Sequence, residues 1–188
     1  MVTGQELDPD FWKKSKEFFL HFQDQVDLIQ ALFTTVANAF PQDRLSLHFN
    51  SPKGCRISKG SQLARLPYQV LDIVRDFDQE KGFNIRFLNW WGYGFFIFIT
   101  YGVQTKNSFP VNRISYFQNF KLYSRESAFD YMDIMQSQMA VSAENLVAAI
   151  NTSSQLILWK EIALPKDPKK ASELIMKLTE DILSYHNR

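Results

Sequence analysis

Residues 83–101 read FNIRFLNWWGYGFFIFITY. Two runs of aromatic and β-branched side chains flank Gly92-Tyr93-Gly94, the pattern of a hairpin closed by a three-residue loop. That loop sets Trp91 against Phe95, Asn89 against Ile97, Phe87 against Ile99 and Ile85 against Tyr101. Side chains alternate along a strand. The other face therefore carries Trp90 opposite Phe96, Leu88 opposite Phe98 and Arg86 opposite Thr100. Both faces are apolar, and a sheet of this kind has to be covered on both sides. The cover can come from the chain's own helices and loops, from a second copy or from a ligand.

Working outward toward the N-terminus, Asp8 and Pro9 make a helix start, with a capping carboxylate before a proline at the first helical position. Phe11, Phe18, Phe19, Phe22, Val26, Ile29, Phe33, Val36 and Phe40 then recur at helical spacing, with Ser15 the gap in the stripe, up to Pro41. The span is long for a globular helix, so a break inside it is one expectation. Leu45, Leu47 and Phe49 alternate with polar residues and predict a strand. The SPKG turn then returns the chain as Cys55–Lys59, with Phe49 facing Cys55, Leu47 facing Ile57 and His48 facing Arg56. Residues 61–77 fit either a strand or a short helix, with Pro67 against a helix through the centre.

Toward the C-terminus, residues 113–123 alternate imperfectly and predict a further strand. Ser124 is read as the cap of a helix with Ala128, Phe129, Met132, Met135 and Met139 on its apolar side, and Ser142 as the start of a second short helix. Residues 155–164 read as a strand. Asp167-Pro168 repeats the opening cap signature before a stripe of Ala171, Leu174, Ile175, Leu178, Ile182 and Tyr185. The order predicts one α+β domain over residues 1–188. Its core is an antiparallel sheet of about five or six strands, backed on one face by a long N-terminal helix and a C-terminal helix.

The chain has 188 residues, 45% hydrophobic and 22% charged, which is ordinary globular composition. The longest uncharged stretch, between Arg86 and Lys106, is interrupted by Asn89, Gly92, Gly94, Gly102 and Gln104. It falls short of the roughly 20 apolar residues of a membrane span. Acidic residues precede any apolar block at the N-terminus, unlike a secretory leader. The single cysteine excludes an internal disulfide and fits a reducing, cytoplasmic setting.

The net charge of +1 hides a segregation. Residues 1–43 hold three basic and seven acidic side chains, residues 44–125 twelve and four, and residues 126–188 six and nine. Fourteen of the 28 aromatic residues lie between Phe83 and Tyr123, inside the basic segment. A basic, aromatic sheet face suits stacked bases or anionic aromatic ligands. Against this stands the simpler account, that aromatics favour strands and acidic helices complement a basic sheet. The candidate ligand-binding residues are Arg86, Trp90, Tyr93, Phe96, Phe98, Tyr101, Arg56 and His48.

Catalytic signatures are weak. His21, His48 and His186 lie far apart and in no metal-ligand spacing. Cys55, on the apolar side of its hairpin, reads as a packed thiol. Gly92-x-Gly94 leads into a strand, so it is not a dinucleotide loop. Asp72, Asp76, Asp78 and Glu80 form an acidic cluster without EF-hand spacing. No catalytic residue, metal or cofactor is implied. The expectation is a non-catalytic binding or interaction module that meets a protein partner or a second copy through the basic aromatic face. The alternatives are an enzyme or pocket protein for an anionic aromatic small molecule, and a single-stranded nucleic-acid binder.

Overall fold

The structure is a computed structural model, and it describes residues 6–50, 52–125, 130–152 and 154–186. Helix α1 runs unbroken from Pro9 to Ala39, 31 residues. The Asp8 carboxylate accepts the Phe11 N–H at 2.9 Å, and Pro9 occupies the first turn. Phe40 then bonds back to Ala37, and Pro41 stops the helix.

The next element corrects the sequence reading. Residues 45–49 are not a strand. Helix α2 spans Gln42–Leu45, and a tight turn follows in which His48 and Phe49 both bond to the Leu45 carbonyl. Leu45 and Phe49 are four apart, so the same letters satisfy one helical turn as well as alternation. The turn buries Leu45 and half-buries Phe49, and it leaves Leu47 in water. The expected pairing of this segment with Cys55–Lys59, including His48 against Arg56, is therefore absent.

Strand β1 (Arg56–Leu63) pairs instead with β2 (Leu66–Arg75), which settles residues 61–77 as a hairpin. Its two-residue turn is Ala64-Arg65, both at positive φ (47° and 66°). That is the geometry the twist of a hairpin requires, made here without glycine or asparagine. Pro67 is tolerated because it falls in an irregular stretch of the β1–β2 ladder, between the Gly60 and Leu63 pairs.

Strands β3 (Phe83–Trp90) and β4 (Gly94–Tyr101) form the central hairpin. The loop has three residues, but it is Trp91–Tyr93. Gly94 belongs to the strand and pairs with Trp90. The register is thus two residues from the one read from the sequence: Asn89 faces Phe95, Phe87 faces Ile97 and Ile85 faces Ile99. A shift of two leaves every side chain on its assigned face.

Two 3-10 segments follow, Thr105–Ser108 and Val111–Phe117, so only the end of the 113–123 run is a strand, β5 (Lys121–Arg125). Ser124 lies in that strand and caps nothing. Helix α3 (Tyr131–Gln136) is capped by Asp130, whose carboxylate accepts the Asp133 N–H at 3.1 Å. Ala128 and Phe129 lie outside the described residues. Met132 and Met139 are exposed and Met135 is half-buried, so the expected methionine core is not formed. Ser142 caps α4 (Ala143–Ile150). Strand β6 (Gln155–Glu161) and helix α5 (Pro168–Ser184), capped by Asp167, complete the chain.

The fold is α+β. Six strands form one antiparallel sheet in the order β1-β2-β3-β4-β6-β5. Helices α1 and α5 pack together and on one face, over Phe33, Val36, Phe87, Ile97, Ile99 and Ile175. The other face carries Val70, Leu88, Trp90, Phe96, Phe98, Ile157 and Trp159, with Tyr131 and Ile134 of α3 packed among them.

Candidate functional site

The aromatic face of the central hairpin is interior, and its cover comes from the chain itself. Trp90 is 1% exposed, with its indole N–H donating to the Leu63 carbonyl at 3.0 Å. Phe96 and Phe98 are buried against Trp159, and Tyr131 packs on Phe98 with ring centres 4.8 Å apart. Arg86 lies beneath α3. Its guanidinium grips Asp72 with two bonds, 2.7 and 3.0 Å, and donates a third to the Tyr131 hydroxyl at 2.5 Å. Asn84 adds a bond to Asp72 at 3.3 Å. Burial alone would favour loss of the Arg86 charge, but the bonded Asp72 carboxylate outweighs it and holds the cation. Burial, with Asp72 nearby, pushes the Tyr131 phenol up despite the adjoining guanidinium.

The remaining candidates scatter. Arg56 shares this face, in the cross-strand row Arg56–Asp72–Arg86, but it is exposed on the edge strand. Tyr93 stacks on Trp90 at 4.1 Å and is 40% exposed, so it alone opens this face at the hairpin tip. Tyr101 points the opposite way, into the α1–α5 core. Its hydroxyl meets His186 Nε2 at 2.5 Å, and burial pushes its phenol well up. His48 sits in the turn after α2, with its ring 6.4 Å from that of Phe49. The structure therefore brings Arg86, Trp90, Phe96 and Phe98 together as packing, puts Tyr93 at their rim, leaves Arg56 exposed at the sheet edge on the same face, and separates Tyr101 and His48.

Other basic side chains of the central segment are committed to the fold. Arg75 donates to the carbonyls of Lys53 and Gly54 at 3.0 and 3.1 Å. Lys106 is buried and ties together the carbonyls of Ala149, Thr152 and Ser154, and desolvation lowers its pKa. Burial pushes the Cys55 thiol up to about 11, and it lies 3.4 Å from the Phe40 carbonyl. Such a thiol is a poor nucleophile. Among the described residues no group of three or more His, Cys, Asp and Glu side chains is placed to hold a metal, and no helix is long and apolar enough to cross a membrane.

The open apolar surface is elsewhere, on α1. Only Val26, Leu32, Phe33 and Val36 of this helix are buried. Gln69 of β2 donates to the carbonyl of Val26, the first buried residue of α1, at 3.0 Å. From that point back, the same stripe emerges into water: Phe11 is 58% exposed, Trp12 60%, Phe18 65% and Phe19 56%. Phe22 reaches the hairpin tip, edge-on to Trp91 at 4.8 Å. Between helix and tip runs a groove of about 560 Å³, walled by Phe18, Phe19, Phe22, Leu66, Pro67 and Trp91.

The sequence reading recorded this stripe, without Trp12, and packed the long helix on one face of the sheet without asking how far the sheet reaches. The missing step was a length comparison. A 31-residue helix is about 46 Å long, whereas an eight-residue strand spans about 27 Å. Such a helix overhangs the sheet by several turns.

A second cavity, about 490 Å³, lies between β5, α3 and α4. Its lining is mixed, with Leu122, Met139 and Ala149 beside Ser137, Asn145, Thr152 and a Tyr123 hydroxyl hydrogen-bonded to Asp133. Comparisons with protein families, with curated proteins and with solved structures return no match.

Proposed function

We propose that residues 1–188 form a single-domain, non-catalytic interaction module whose contact surface is the N-terminal half of α1 with the adjoining hairpin tip. The observation that supports this is the run of four aromatic side chains more than half exposed on one face of one helix. Contiguous apolar patches beyond a few hundred Å² on a folded protein mark association sites, and clustered Trp and Phe are what association sites favour. The Arg86–Trp90 face gives the reading less support, because its cation already holds a carboxylate and its rings are packed under α3.

The test is photo-crosslinking in the producing cell, with the reactive side chain placed at Phe19 in one variant and at Lys13, on the polar side of the helix, in another. An interaction module gives a discrete adduct through position 19 and none through position 13. Equal labelling, or none, removes the proposal.

A further inference from the structure

We infer that the partner on this face is a second copy of the same chain, with the N-terminal halves of two α1 helices packed against each other; this rests on the interaction reading above. Three observations carry it. The first is area. Phe11, Trp12, Phe18 and Phe19 are each about 60% exposed, and aromatic side chains present roughly 150–250 Å² each. These four alone offer about 500 Å² per copy. Two copies together reach the roughly 1,000 Å² at which specific interfaces begin. A second copy is the one partner sure to bring a matching surface of the same size.

The second is that the stripe is self-complementary. Phe11, Ser15, Phe18 and Phe22 follow each other at intervals of four, three and four, the seam of an antiparallel helix pair. A two-fold axis between residues 16 and 17 sets Phe11 of each copy against Phe22 of the other. It also sets the small Ser15 opposite Phe18, a hole facing a ring. Each contact then occurs twice, as a closed two-fold interface requires.

The third is charge. Residues 6–27 hold Glu6, Asp8, Asp10, Glu17, Asp24 and Asp27 against Lys13, Lys14 and Lys16. An acidic helix is repelled by an anionic lipid surface or a nucleic-acid backbone. Between two copies the same charges sit on the outer faces, where salt screens them. The dimer therefore tightens as salt rises, the reverse of a contact held by opposite charges.

The experiment is sedimentation velocity on the full chain across a micromolar concentration series at low and high salt, beside the Phe18→Asp variant and a Lys13→Glu control. Expected is a concentration-dependent shift from 22.0 kDa to twice that mass, stronger at high salt. Phe18→Asp raises the dimer dissociation constant about tenfold or more, with an unchanged circular dichroism spectrum and, at concentrations where both proteins are monomeric, an unchanged melting temperature; Lys13→Glu leaves dimerisation intact. The photo-crosslinked adduct through position 19 has the mass of two chains. A monomer at every concentration overturns the inference. If that monomer still gives an adduct with a different protein through position 19, the interaction reading stands and only the second copy is lost. With no adduct, both fail. Dimerisation that weakens with salt, or binding to phosphatidylcholine vesicles in place of dimerisation, also overturns it.

Discussion

Two tryptophans give a matched test of where the interior of this protein lies. Trp90 is 1% exposed, stacked on Tyr93, bonded to the Leu63 carbonyl and edge-on to Tyr131. Truncating it to alanine removes on the order of 150 Å² of buried apolar surface, about 4 kcal/mol at 25 cal/mol per Å². An unfilled cavity adds to that cost, while relaxation of the partly exposed Tyr93 subtracts from it. Trp90→Ala is therefore expected to cost about 3–5 kcal/mol. Trp12 is 60% exposed on the overhanging part of α1, and Trp12→Ala changes global stability by about 0.5 kcal/mol or less. The assay is guanidinium unfolding of both variants at equal, low protein concentration, so that association does not contribute. With a slope of roughly 4 kcal/mol per molar, the Trp90 variant loses about 1 M in midpoint and the Trp12 variant about 0.1 M. Equal shifts in the two, or a loss below about 1 kcal/mol for Trp90→Ala, would refute the claim that the second sheet face is sealed by its own chain.

The two proline-led caps should respond differently. Asp167→Ala costs about 1 kcal/mol of global stability, because α5 is part of the core. Asp8→Ala leaves the denaturation midpoint nearly unchanged and instead speeds hydrogen exchange over residues 11–14, since the first turns of α1 have few contacts to lose. Equal midpoint shifts for both would contradict the overhang. Arg86→Met strands the buried Asp72 carboxylate and costs about 3–5 kcal/mol, and adding Asp72→Leu recovers most of the loss. A double variant no more stable than the single one would show that the pair does not act as a unit. Cys55 has a thiol pKa raised to about 11 by burial, against about 8.5–9 unfolded. The folded state then holds a proton that the unfolded state has lost, so this group's contribution to stability is intact below about pH 8.5 and falls as pH rises through 9 to 11. Alkylation of native Cys55 should be slow at pH 8 and accelerate over that range. Fast native labelling at pH 8 would count against the burial.

The parts of the fold that could be read from the sequence are those where one local signal has one meaning. Asp8-Pro9 and Asp167-Pro168 each begin a helix because a capping carboxylate and a proline suit the same two positions and few others. The two faces of the β3–β4 hairpin could be read because alternation fixes a face whatever the register. The register itself could not, because Gly92 and Gly94 both adopt positive φ (86° and 142°) and the sequence does not say which one closes the loop. The β1–β2 turn was hidden for the opposite reason. Ala64 and Arg65 occupy left-handed conformations that glycine or asparagine would have advertised. Residues 45–49 failed as a strand because five residues are too few to separate a period of two from a helical turn.

The candidate site was misplaced through a subtler fault, and the fault shows where an open surface should be sought. Arg86, Trp90, Phe96 and Phe98 drew attention because they combine charge with rings, yet that combination also describes a satisfied interior. Arg86 has Asp72 and Tyr131 to bond, and the rings have α3 to pack on. What separates a binding face from a core is whether the chain has enough of its own material to cover it, and composition does not measure that. Length does. The last half of α1 meets β2 and α5, the first half extends past them, and apolar residues at helical spacing continue across the boundary, mostly aliphatic where the helix is packed and aromatic where it is exposed. A stripe selected only for folding would turn polar where the sheet ends. Here Phe11, Trp12, Phe18 and Phe19 remain, each more than half exposed. Persistence of the pattern beyond its internal partner is the physical ground on which the proposal of a partner outside the chain rests.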